Sequence, residues 1–302
     1  MATTCVVCGT TTSIQCGGCA DSPSADLTTN ISVYYCNNSC QKADHESHKA
    51  ACKAARHRKL LVLTAEHVQA TILEYIRITW ASQLVGVERV DDDELHMLIS
   101  RKSRLNPIIL GGKTYPFPEP LWSRLTDEEQ KAILTKGYCT EATVMAEWLM
   151  MPVLGPFIQG SARGLLSIGA KIVPMRMTYV IVDGNVGVNA VVGTAHTVLK
   201  ITLQSGECFA VDFTGAQFGW YDSIMRWDDW MQNRVVVVTS RLGPVQEVKD
   251  TMWLGCTGEH AKLAKRLAEE MHAGAVDLSG GDNQQSRQSM VEKSRGTGYG
   301  GR

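Results

Sequence analysis

Cys5-Val-Val-Cys8, Cys16-Gly-Gly-Cys19, Cys36-Asn-Asn-Ser-Cys40 and His48-Lys-Ala-Ala-Cys52 decide how the head of this chain folds. Seven of the ten cysteines in the 302-residue sequence lie between positions 5 and 52, and His48 makes an eighth soft ligand. A structural Zn²⁺ ion takes four Cys or His ligands in a closed tetrahedron, so eight ligands in four close pairs make two complete sites. His48 and Cys52 are four apart, which puts them on one face of a helix. The competing reading is a disulfide-rich secreted module. Against it, no apolar leader precedes Cys5, and seven cysteines is an odd number that needs His48 to complete the set. His45 is a rival for the histidine position, but it lies seven residues from Cys52 and fits the pairing less well.

The order of the pairs, Tyr35 before Cys36, Gln41 directly after Cys40 and the closing His48-x3-Cys52 resemble an MYND-type zinc finger. The resemblance implies interleaved sites, with Cys5, Cys8, Cys36 and Cys40 on one zinc and Cys16, Cys19, His48 and Cys52 on the other. It also implies a surface that binds short, often proline-containing, peptide motifs of other proteins. The chain departs from the family in a polar insertion from Ala20 to Tyr34. A loop of that kind lengthens at small entropic cost, so the metal assignment stands.

Beyond the finger the composition is that of an ordinary globular protein, with 44% hydrophobic and 20% charged residues and a net charge near −1. No basic excess draws the chain to nucleic acid or to acidic membranes. The longest apolar runs, such as Trp148 to Ile158, are broken by Pro and Gly and are too short for a membrane span. Cysteines grouped as metal pairs point to an intracellular, reducing setting, in nucleus or cytoplasm.

The basic cluster Lys53-Ala-Ala-Arg-His-Arg-Lys59 reads as the solvated end of the helix that carries His48. Val68, Ile72, Tyr75, Ile76, Thr79 and Trp80 recur at helical spacing over Thr64–Leu84, with Gly86 as a stop. Asp91–Glu94 reads as an acidic helix start before Leu95, Leu98 and Ile99. The proline-rich stretch 105–122 reads as a connecting loop. Thr126-Asp-Glu-Glu129 is a capping box for a short helix, Glu128–Leu134. Gly137-Tyr-Cys139 then opens an apolar helix with Cys139 at its N-terminus, where unpaired amides and the helix dipole favour the thiolate.

Ala195–Leu203 and Glu207–Phe213 read as strands of a hairpin closed by Gln204-Ser-Gly206. A three-residue loop sets Leu199, Ile201 and Leu203 on one face with Phe209, Val211 and Phe213. The same register pairs Leu203 with Glu207, so His196 and Asp212 become diagonal neighbours on the other face. A His oriented by an Asp, facing a Cys at a helix start, is the arrangement of a nucleophilic thiol site. The order helix Cys139, strand His196, strand Asp212 is similar to that of transglutaminase-like and papain-like folds, which implies a thiol hydrolase or acyltransferase. The alternative is a polar sheet face on which Asp212 caps a turn.

Residues 158–170 read as a glycine-rich loop, 172–182 and 186–192 as strands around the turn Asp183-Gly-Asn185, and Val235–Val238 as a buried strand. Trp220, Trp227 and Trp230 read as core aromatics, and 259–272 as an amphipathic helix. The expected architecture is a small zinc-bound finger (1–58) plus an α+β domain with an antiparallel sheet (60–278) and a disordered Gly/Ser/Arg tail (279–302). The leading function is an intracellular adaptor with two structural Zn²⁺ ions, docking a protein or peptide partner through the finger. The enzymatic alternative uses Cys139 as nucleophile, His196 as base and Asp212 as orienter.

Overall fold

The computed structural model describes residues 3–80, 83–92, 94–100, 115, 117–159, 164–170, 176–181, 195–242, 266 and 269. The expected turn at 183–185, the strand at 186–192, the tail and most of the proline-rich loop lie outside these residues. So does the 259–272 helix, apart from Arg266 and Glu269, both of which are helical.

The polar insertion forms a ribbon of two short antiparallel strands, β1 (Ser22–Pro23) and β2 (Asn30–Ile31). Helix α1 (Asn38–Ile78) then runs for 41 residues without a break. Asn37 caps it: the side-chain oxygen accepts from the Cys40 amide at 2.9 Å, satisfying one of the donors that a helix start leaves unpaired. Leu61, Ala65, Val68, Ile72 and Ile76 recur at three- and four-residue spacing and are completely or almost completely buried.

The helix ends sooner than its stripe suggests. Leu84–Asp91 is strand β3, and Glu94–Ile99 is strand β4, paired with β3 antiparallel. The expected acidic helix start at Asp91–Glu94 is therefore a strand connection. The reason is visible in Leu95, Met97 and Ile99, which alternate into the core at 2%, 0% and 1% exposure, a period of two. Helices α2 (Glu119–Trp122) and α3 (Asp127–Thr135) follow. Helix α3 carries the expected capping box, Thr126 accepting from the Glu129 amide while Glu129 accepts from that of Thr126.

Helix α4 (Cys139–Leu154) lies against the larger sheet. The strands after it are β5 (Gly164–Ala170), β6 (Arg176–Ile181), β7 (Ala195–Thr202), β8 (Cys208–Val211) and β9 (Ile224–Arg226). Helix α5 (Trp227–Arg234) and strand β10 (Val235–Leu242) close the described part of the domain. The larger sheet is antiparallel throughout, in the order β10-β5-β7-β8-β9, and the smaller is β3-β4-β6, where β4 and β6 run parallel. Part of the expected loop at 158–170 is thus strand β5, held between β7 and β10. Val235–Val238 is a strand as expected, but Val236, Val237 and Val238 are 68%, 52% and 40% exposed, because β10 is the sheet's edge.

One cluster unites α1 (Leu61, Val68, Ile72), α4 (Leu149, Met150, Leu154) and the inner face of the β7–β8 hairpin (Leu199, Ile201, Phe209, Val211). Each such side chain contributes about 1.5–3 kcal/mol on leaving water. The hairpin has the expected register: Leu199 pairs with Val211, Thr202 with Cys208, and the Leu203 amide donates to the Glu207 carbonyl at 2.9 Å. Gly206 takes the left-handed conformation that the three-residue loop requires, at φ +87°. The outer face packs Val198 and Ala210 under Trp220 and Trp230, so these two tryptophans are core residues, with Trp227 partly buried beside them.

The basic cluster on α1 is not a solvated helix end. Arg58 is 5% exposed and donates to the Pro23 carbonyl (2.9 Å) in the insertion and to Glu207 (2.8 Å) at the β7–β8 turn. Lys59 donates to the Ala20 carbonyl at 2.8 Å, and Arg226 on β9 to that of Ala25 at 3.3 Å. Leu27 packs against the main core. The insertion fastens the finger to the second domain.

Candidate functional site

Eight side chains of the finger converge into two groups of four, Cys5, Cys8, Cys36 and Cys40, and Cys16, Cys19, His48 and Cys52. Within each group the ligand atoms all lie within 4.8 Å of one another. Neighbouring pairs are closer: Cys8 and Cys36 sulfurs at 3.4 Å, Cys36 and Cys40 at 3.5 Å, Cys16 and Cys52 at 3.7 Å, and Cys19 Sγ to His48 Nε2 at 3.4 Å. A disulfide needs sulfurs about 2.05 Å apart, whereas ligands about 2.3 Å from one ion lie a little under 4 Å from each other. The spacing is that of metal ligands, and the groups are interleaved as the family resemblance implies. His48 is the histidine that falls in the second group. His45, its rival, is exposed and bonds Glu46.

Local structure places these ligands. The Cys36–Cys40 pair straddles the capped start of α1, and His48 and Cys52 follow on one face of the same helix. Tyr35 is buried with its ring edge-on to His48, and its hydroxyl donates to Asp44 at 2.7 Å. Gly18 is a requirement that ligand spacing alone does not reveal: a Cβ there would come within 2.7 Å of the Cys52 sulfur. The Gly-Gly of Cys16-Gly-Gly-Cys19 thus leaves room for the fourth ligand of its site.

The three residues singled out in the second domain also come together. Cys139 is the first residue of α4, and its side chain keeps partial solvent exposure although protein surrounds most of it. His196 on β7 is fully buried, and its Nε2 faces both Asp212 oxygens at 2.9 Å. Asp212 is 3% exposed and accepts from the Thr214 amide at 3.2 Å. Burial opposes the charge on Asp212, but His196, then Arg234 and the Thr214 amide hold its pKa below the usual carboxylate range. Burial likewise opposes charge on His196, and Asp212 followed by Cys139 outweighs it, so the imidazole titrates above its usual range. At Cys139 burial raises the pKa, yet the His196 ring and the Thr197 amide bring it below that of an ordinary thiol. Nδ1 of the His196 ring is buried and has no hydrogen-bond partner among the described residues, and contacts of this kind often tighten only when a substrate is bound.

Several neighbours escaped the sequence reading. Thr143 donates to the Cys139 carbonyl (2.6 Å) and the Thr197 carbonyl (3.2 Å), tying the first turn of α4 to β7. Gln217 is buried; its side chain accepts from the Gly137 amide at 3.3 Å and donates to the Thr214 carbonyl at 3.0 Å. It joins the turn before Cys139 to the turn after Asp212. Gly215 is pinned in the same turn, since a Cβ there would meet an Asp212 oxygen and the Trp220 carbonyl, each at 3.0 Å. These partners lie far apart in the chain, which is why spacing alone does not reveal them.

Fold and ligand geometry define a protein with a cross-braced double-zinc finger at the head of an α+β domain. Residues 5–52 match the family model of the MYND finger, a protein-interaction module, and the chain carries a zinc finger of that type. The match covers the finger alone. No curated protein and no solved structure matches the chain, so the likeness of the Cys139 region to transglutaminase-like and papain-like folds gains no support there. Among the described residues no helix is long and apolar enough to cross a membrane.

Proposed function

We propose that this protein is an intracellular adaptor, nuclear or cytoplasmic, whose finger docks a short proline-containing peptide of a partner protein. The observation that carries the reading is a set of apolar side chains presented by the finger: Val6 is 60% exposed, Val7 45% and Ile14 56%. They stand outside the finger's own core, which is built on Cys16, Cys19, Tyr35 and Ala55 with Val33, Cys40 and Cys52 packed against it. Exposed apolar residues on a small rigid module mark a place where a partner is expected. The zinc ions in this reading are structural: they supply the folding free energy of a segment too small to hold itself together, and no open coordination position is left for chemistry.

The test is binding of the zinc-loaded full chain to an array of proline-containing peptides, beside a Val6→Ser/Ile14→Ser double variant of equal zinc content. Peptides that bind the wild type and are lost with the variant support the reading. Equal binding by both proteins, or none by either, removes it.

A further inference from the structure

We propose that the second domain holds a thiol site for acyl transfer, in which Cys139 is the nucleophile, His196 its base and Asp212 the group that orients the base. The finger reading does not require it, and it stands on a different part of the molecule.

Cys139 opens a 16-residue helix and is the one member of the three that reaches solvent. His196 lies fully buried, its ring edge-on to Phe218 at 5.0 Å and Trp220 at 6.1 Å between centroids. Asp212 occupies Nε2, so that nitrogen keeps its proton in either charge state of the ring, and Nδ1 is the position left to exchange a proton with the thiol. Nδ1 is buried and has no hydrogen-bond partner among the described residues, so an atom that is costly to leave unpaired is open to the thiol. Three further contacts hold this geometry: Thr143 and Thr140 bond α4 to Thr197, and Gln217 bridges the two turns. The charged groups acting on the cysteine–histidine pair are Asp212 on the β8 side and Glu141 on α4, and Arg234 on α5 acts in turn on Asp212. Arg234 lies over the Trp220 ring at 5.1 Å.

The substrate class is an acyl derivative of a carboxylic acid: an amide, ester or thioester. The Cys139 proton passes to Nδ1, and the sulfur attacks the carbonyl carbon, forming a C–S bond. The first turn of α4 brings backbone N–H groups with no intrahelical acceptor, the donor type that a developing oxyanion needs. Collapse breaks the bond to the leaving amine, alcohol or thiol, which departs with the proton from the imidazolium. Cys139 is left as a thioester. Water, or an amine acceptor, then gives its proton to Nδ1 and attacks the thioester carbon, and Cys139 leaves as thiolate and recovers the proton from the ring.

The test uses the zinc-loaded full chain and two probes. Iodoacetamide alkylation is followed from pH 5 to 9 by peptide mapping, with Cys208, partly exposed on β8, as internal reference. Near pH 6, Cys139 is expected to react about tenfold or more faster than Cys208, since each unit of lowered pKa raises the thiolate fraction about tenfold. With p-nitrophenyl acetate, a burst of nitrophenolate should accompany an acetyl group on Cys139, and Cys139→Ser should abolish both. Asp212→Asn should move the alkylation profile of Cys139 to higher pH while leaving that of Cys208 in place. Alkylation of Cys139 no faster than that of Cys208 overturns the proposal, as does an alkylated Cys139 that takes no acetyl group. An unchanged profile in a folded Asp212→Asn protein removes Asp212 from the site. If that variant does not fold, the wild-type profile and the acetyl transfer decide.

Discussion

Glu141, two residues beyond Cys139, shows how a single side chain can work against its surroundings. It is 5% exposed, neither carboxyl oxygen has a hydrogen-bond partner from another of the described residues, and burial pushes its pKa up to about 7. The folded protein therefore holds this proton more tightly than the unfolded chain does. Stability from this group is fully present below the ordinary carboxylate range and is lost as pH rises towards 7, by on the order of 3 kcal/mol for a shift of this size. Glu141→Gln removes the titration, so its stability relative to the wild type should rise between pH 5 and 8 and level off above. Urea unfolding across that range measures it. At this scale the sequence revealed what parity and spacing control. The ligand pairs follow from local spacing, and His196 and Asp212 share a face because an odd hairpin loop leaves no other register for the apolar set. Gln217, Arg234 and Thr197 were not legible, because each acts through a partner far away in the chain.

At the scale of elements, Arg58 decides how the finger meets the second domain. The guanidinium is almost wholly buried and joins a carbonyl of the insertion to Glu207 at the hairpin turn. Arg58→Met keeps the helix but leaves Glu207, 16% exposed, without its cation. A loss of about 3 kcal/mol is expected, the lower end for breaking a buried pair because one partner retains some contact with water. Chemical denaturation measures the loss, and faster proteolysis within residues 20–34 should accompany it. The basic run around Arg58 looked like a solvated helix end because sequence shows charge without showing what lies opposite. Leu95, Met97 and Ile99 were similarly ambiguous. A short apolar run fits a helix or a strand, and pairing with β3 and β6 settles the choice in favour of a strand. Val236 to Val238 have a core composition, but their position at the sheet's edge leaves them exposed.

At the scale of the whole molecule, the metal groups and the main core share one helix. Zinc extraction should thus be felt beyond the finger. With a strong chelator, residues 20–34 and the first turns of α1 should lose hydrogen-exchange protection, because their ligands no longer hold them. The thermal midpoint should fall as the contacts of Arg58, Lys59 and Leu27 with the insertion loosen. Protection within β7 and β8 should outlast that of the finger, since their shared core is built from α4 and the C-terminal half of α1. Exchange measured by mass spectrometry follows all three regions in one experiment.

With 41 residues at about 1.5 Å each, α1 is a shaft about 60 Å long. One end is gripped by metal ligands and the other by the core, and no swivel lies between them. A partner taken up by the finger, as proposed above, would therefore arrive on a fixed bearing, like a tool clamped to a lathe. Lengthening or shortening α1 by one residue between Cys52 and Arg58 would turn the finger by about 100° around that axle and pull the insertion away from Arg58 and Lys59.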